Sequence, residues 1–162
     1  MVSAYVEGKV STIEKLLEEN SDDDHGYLSW MLGQEYSVRG DYQKALYYLT
    51  NRGVDTLQYN WLIGYAYAAI GEQEKALRVA NFLEEKYHRE YLPPSTIGII
   101  YAGLNDNQNK LRWMKEAYRV KDYWPAYANA FKPFRNRQWY QDWFDLGTMD
   151  NPRDPWEDVN AK

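Results

Sequence analysis

The chain has 162 residues, a net charge of −5, no cysteine, and a hydrophobic fraction of 44% dominated by 16 Tyr and 7 Trp. That length suits one compact domain, and the missing cysteines exclude disulfides, thiolate catalysis and cysteine-based zinc sites. No apolar run nears the roughly 18 residues of a membrane span and no charged-then-apolar leader opens the chain, so no membrane insertion of this segment is expected.

Residues 2–19 read as a helical segment interrupted at Gly8, with Val10, Ile13, Leu16 and Leu17 forming one apolar stripe after it, and 1–19 as a partial N-terminal hairpin. The run Asn20 to Asp24, NSDDD, is an acidic linker whose carboxylates can cap the next helix. It lacks the glycine and distant glutamate of a calcium loop, so with His25 beside it the reading is a solvated turn and not a metal site. Then comes LSWMLGQEYSVRGDYQKALYYL, in which Leu32, Gly33, Tyr36, Gly40, Ala45 and Leu49 stand 31 residues before Ile63, Gly64, Tyr67, Gly71, Ala76 and Ala80. A third stretch continues the series with Ile97, Gly98, Tyr101, Asn105, Met114 and Ala117.

In each stretch a helix stop lies seven residues after the inner glycine. Gly40, Gly71 and Asn105 are residues that tolerate a left-handed turn. Pro93 and Pro94 suit the first turn of the third opening helix, where a missing N–H leaves nothing unpaired. The inner glycines let each opening helix approach its partner closely, and Ala45 and Ala76 do the same from the other side. Lys110 replaces that alanine in the third hairpin, which is expected to pack less closely.

These residues resemble the tetratricopeptide repeat (TPR) signature of a large apolar residue, a glycine and an aromatic three further on, matched by Leu32-Gly33-Tyr36, Ile63-Gly64-Tyr67 and Ile97-Gly98-Tyr101. The signature tryptophan is displaced, Trp30 and Trp61 each lying one residue late. The resemblance implies an all-α, right-handed α-α superhelix of stacked TPR hairpins: three repeats over 26–121, at about 26–51, 56–87 and 92–121. The aromatic-rich residues 122–147 are expected to form a helical cap over the open end of the stack, and 148–162, acidic with Pro152 and Pro155, a flexible tail. The run Phe134 to Phe144 also resembles the motif that closes TPR arrays in bacterial signalling proteins and membrane-bound transcription regulators, with Arg137 and Gln138 standing where that motif has Asp-Pro.

No catalytic constellation is present: His25 and His88 are the only histidines, and the paired carboxylates Glu72/Glu74 and Glu84/Glu85 sit on polar helix faces. The expected function is therefore non-catalytic binding of a protein or peptide, with no metal and no cofactor. In a TPR stack the opening helices line the concave groove, which implies Tyr27, Trp30, Gln34, Gln58, Trp61, Tyr65, Leu92, Ser95 and Ile99 as exposed contact positions. Trp30/Gln34 and Trp61/Tyr65 are four apart and share a face. Interhelical packing of the two tryptophans is the competing reading. Chaperone-binding TPRs clamp a terminal carboxylate with lysine and asparagine, and here Trp30 and Trp61 hold those places.

Charge is unevenly spread. Between Lys110 and Arg137 eight basic side chains face only Glu116 and Asp122, about +6, which leaves about −11 for the remainder. Arg112, Lys115 and Arg119 form a stripe opposite Leu111, Met114 and Tyr118 that suits an anionic partner, an internal complement being the alternative. The acidic balance and the absence of a reader motif argue against nucleic acid. A homo-oligomer, the sensory region of a bacterial TPR-containing transcription regulator and a small secretion chaperone stay open as alternatives. The cytoplasm is favoured as the compartment, or the periplasm for a piece of a membrane-bound regulator.

Overall fold

The computed structural model describes residues 2–19, 26–51 and 60–122, with side chains for 10–19, 26–50 and 60–122. The linker at 20–25, Gln58, the expected cap beyond Asp122 and the tail lie outside these residues. Seven helices make up the described part, with no strand among the described residues: α1 (Val2–Glu19), α2 (Tyr27–Arg39), α3 (Tyr42–Asn51), α4 (Asn60–Ala69), α5 (Gln73–Tyr87), α6 (Pro94–Gly103) and α7 (Asn107–Arg119). None of the described helices is long and apolar enough to cross a membrane.

The expected break at Gly8 does not occur, since α1 runs through it. A glycine inside a helix costs only about 1 kcal/mol relative to alanine, which burial of one apolar face offsets. That face is Val10, Ile13 and Leu17; Leu16, expected in the stripe, turns outward.

The pairs α2–α3, α4–α5 and α6–α7 are hairpins closed by one turn geometry. Gly40, Gly71 and Asn105 all take positive φ, at 80°, 84° and 58°. Each donates its N–H three residues back, to Ser37, Ala68 or Ala102, while the next N–H reaches five back, to Tyr36, Tyr67 or Tyr101, at 2.9–3.0 Å. This bond pair satisfies carbonyls that a helix end leaves open. An acid then starts the second helix. Asp106 accepts from the Asn109 N–H at 3.0 Å, the main reason its carboxyl stays below its usual range, and Asp41 accepts from the Lys44 N–H at 3.3 Å. Lys121 (φ 55°) repeats the turn after α7, with Asp122 donating to the Ala117 carbonyl at 2.8 Å.

Inside each hairpin the glycine is where the helices meet. Gly33 lies under Leu49 and Gly98 under Met114. The corresponding residue in the middle hairpin is the smaller Ala80, and there Ile100 of α6 reaches in: a Cβ on Gly64 would stand 2.6 Å from Ile100 Cδ1 and 3.1 Å from Val79 Cγ1. The opening helices also touch directly, with Gly103 of α6 against Tyr65 and Ala68 of α4. Lys110 does not loosen the third hairpin as expected. The α6–α7 contact is the most extensive among the described helices, with Met114 seated on Gly98, Trp113 and Ala117 also buried, and Lys110 half-buried. Asp122 then closes this unit by accepting the Ser95 N–H at 3.0 Å, the first N–H that α6 has after Pro93 and Pro94.

Two kinds of glycine are therefore distinguishable by experiment. Gly64→Val is expected to destabilise by about 1–3 kcal/mol through overpacking, and Ile100→Ala in the same chain to cost less than its own separate effect, since it vacates the space. Gly71→Ala, at positive φ with open surroundings, is expected to cost about 1–2 kcal/mol and to add to Ile100→Ala without coupling. Urea unfolding of the five variants, three single and two double, gives both comparisons.

Candidate functional site

The expected groove residues fall at three corresponding positions: Trp30, Trp61 and Ser95 each three before an inner glycine, Gln34, Tyr65 and Ile99 each one after it, and Tyr27 and Leu92 each six before it, at the start of α2 and just ahead of α6. Their exposure falls steeply along the chain. Tyr27 is 56% exposed, and Trp30 and Gln34 are half-buried. Trp61 (6%), Tyr65 (9%), Leu92 (5%), Ser95 (0%) and Ile99 (1%) are buried, which overturns the expectation that these five are open to a partner. Tyr65 is wedged edge-on to Tyr42, with ring centroids 5.9 Å apart, and against Gly103; Trp61 belongs to the core. In α2 the row stays accessible, the Tyr27 and Trp30 rings lying 5.7 Å apart.

The basic stripe is largely matched from within. Arg112 pairs with Glu84 at 2.8 Å and lies 5.0 Å from the Trp113 ring, and Arg119 grips both oxygens of Glu116 at 2.7 Å. Lys115 is exposed. Of the residues opposite the stripe, Leu111 and Tyr118 are 37% and 46% exposed and Met114 is buried.

Three carboxylates organise the polar interior, a pattern that the sequence reading did not find. Glu14 Oε1 on α1 accepts from Tyr36 at 2.6 Å and Tyr48 at 3.1 Å, two rings stacked 4° from parallel. Glu84 Oε1 on α5 accepts from Tyr101, Trp113 and Arg112, each at 2.8 Å. The donors correspond, Tyr36 with Tyr101 and, twelve residues on, Tyr48 with Trp113; the middle hairpin has Val79 at that place. Glu116 on α7 takes the Tyr87 hydroxyl at 2.7 Å. Burial foremost, and then the carboxylate bond, pushes the Tyr36, Tyr87 and Tyr101 phenols above their ordinary range, so they stay protonated as the donors of these bonds.

A cleft of about 460 Å³ opens where α5 and α7 end, lined among others by Tyr87, His88, Tyr91, Leu92, Glu116 and Arg119. It joins Leu92, one of the expected groove residues, to Arg119 of the basic stripe, and Tyr91 beside it is 94% exposed. Its carboxylates are already engaged, Glu116 by Arg119, Glu90 by Lys86 at 2.7 Å and Asp122 by Ser95. Among the described residues no cluster of three or more histidines and carboxylates could hold a metal ion. No protein-family model, curated protein or solved structure matches this chain.

Two outcomes follow from the carboxylates. Glu84→Gln is expected to lower stability by about 1–3 kcal/mol, because three donors lose an ionised acceptor, while exposed Glu85→Gln shifts it by less than about 0.5 kcal/mol; urea denaturation compares them. The Arg119 bond, and then Tyr87, draw the Glu116 carboxyl down from 4.5 to about 2. A depressed folded pKa means that this contribution is complete above pH 4.5 and is lost as pH falls toward about 2. In Arg119→Gln the Glu116 carboxyl, followed by carbon NMR, is expected to titrate nearer its ordinary value and this acid-side loss to shrink.

Proposed function

We propose that the chain is a right-handed stack of TPR hairpins that binds another protein or peptide without catalysis, using the accessible end of its concave face. The stack reading is supported by three hairpins with one turn geometry, each with its glycine seated against a neighbouring side chain. The observation that carries the function is the accessible aromatic row on α2, where Tyr27 and Trp30 lie side by side with Gln34 one turn on. An aromatic pair backed by a rigid helix offers a partner apolar area at little cost in side-chain freedom, and an amide on the same face can fix its register. The aromatic-anchor chemistry fits a peptide segment with apolar side chains at intervals. The likeness of Phe134 to Phe144 to a regulator's closing motif falls outside the described residues and adds no second reading.

Tyr27→Ala and Gln34→Ala separate binding from folding, since both change accessible side chains. Capture of partners from native lysate is expected to fall at least about tenfold in the double variant, as for loss of an interface anchor, with the helical circular dichroism spectrum unchanged. Equal recovery of the same partners by wild type and variant overturns the use of this row.

A further inference from the structure

The burial of the groove's far end needs a source. Residues of a helix advance by about 100° each, so contacts can be placed around α6. Gly98 points to Met114 of α7, Ile100 to Gly64 of α4, Tyr101 to Glu84 of α5, and Gly103 to Tyr65 and Ala68 of α4. Between the directions of Gly98 and Gly103 lies a sector that holds Ser95, Ile99 and Ala102. None of these contacts enters it. Ser95 is nevertheless 0% and Ile99 1% exposed, and every residue from Pro94 to Tyr101 is buried, as in a helix covered on all sides.

The covering deepens along the chain. Across corresponding positions, Tyr27 at 56% gives way to Leu92 at 5%, and Trp30 and Gln34, half-buried, give way to Ser95 and Ile99. The deepest point is beside Asp122, whose carboxylate is held by the Ser95 N–H at 3.0 Å. Lys121 turns the chain there, and forty residues follow, opening with Tyr123, Trp124, Tyr127, Phe131 and Phe134. A segment delivered at this point, and this rich in aromatic side chains, suits a face made of Ile99, Tyr65 and Trp61.

We propose that the segment after Asp122, within 123–147, occupies the α6 and α4 part of the concave face as an internal ligand, leaving the α2 part for an outside partner. This goes beyond an end cap, because it places the chain along the groove and not across its open end. It rests on reading that face as the groove, but its test needs no partner, so failure here leaves the lysate result standing on its own.

The absence of cysteine makes the full-length chain a clean background for cross-linking. Ser95→Cys is nearly isosteric, and Ala102→Cys, half-buried in the same sector, serves as a second anchor. Each is combined in turn with Ala126→Cys, Ala128→Cys, Ala130→Cys, Asn136→Cys or Gln141→Cys, or with Asp55→Cys as the comparison site, and treated with a short bismaleimide. At least one pair is expected to give a linked product within a single chain, mapped by peptide mass. Ser95→Cys alone is expected to react with a maleimide at least about tenfold more slowly than Leu111→Cys on the open face of α7, as for a site reached only by local opening. Three results overturn the proposal: no link within the chain to any of the five positions, a link only to Asp55→Cys in the α3–α4 connection, or a product joining two chains.

Discussion

Close approach of two helices at a residue without a side chain is the constraint on which the described structure rests. Gly33 and Gly98 accept Leu49 and Met114 from their partner helices, and Gly64, with Val79 of its own hairpin beside it, accepts Ile100 from the next hairpin. Interiors pack at crystal-like density, so a vacancy at one position has to be filled from elsewhere. The middle hairpin is thereby locked to the third by a side chain that neither of its own helices supplies.

Polar ties follow the same geometry. Once the helices are close, a glutamate on one helix can reach hydroxyl and indole donors on the next two, as Glu14 and Glu84 do. The arginines then find their carboxylates at the margin, Arg112 at Glu84 and Arg119 at Glu116, both exposed enough for water to screen them. Two of the three cations in the basic stripe are therefore paired by contacts within one molecule.

Hairpins and turns were legible in the sequence because they depend on local chemistry. A left-handed turn selects Gly40, Gly71 and Asn105, and a helix start admits Pro94. Positions facing another part of the chain were not legible. The spacing that places Trp61, Tyr65, Ser95 and Ile99 on one face says nothing about what lies over that face, and all four are buried. The packed side of α7 is likewise fixed by other parts of the chain, and it runs through Trp113, Met114 and Ala117, leaving Leu111 and Tyr118 exposed. The glutamate ties were visible only as a weak signal, an aromatic residue twelve after Tyr36 and after Tyr101, with an acceptor earlier in the chain at no fixed spacing.

The order of the tied residues has a consequence for synthesis. Glu14 precedes Tyr36 and Tyr48, and Glu84 precedes Tyr101, Arg112 and Trp113. A chain emerging from the ribosome at about 5–20 residues per second thus presents these two acceptors seconds before their donors, the reverse of the Tyr87–Glu116 tie, whose donor comes first. While it waits, the acceptor is an ionised carboxylate in water, a state that carries no desolvation penalty. The aromatic donors, which are the groups prone to wrong associations when left uncovered, arrive to find their partner already in place, so each hairpin can settle on the one before it as translation proceeds.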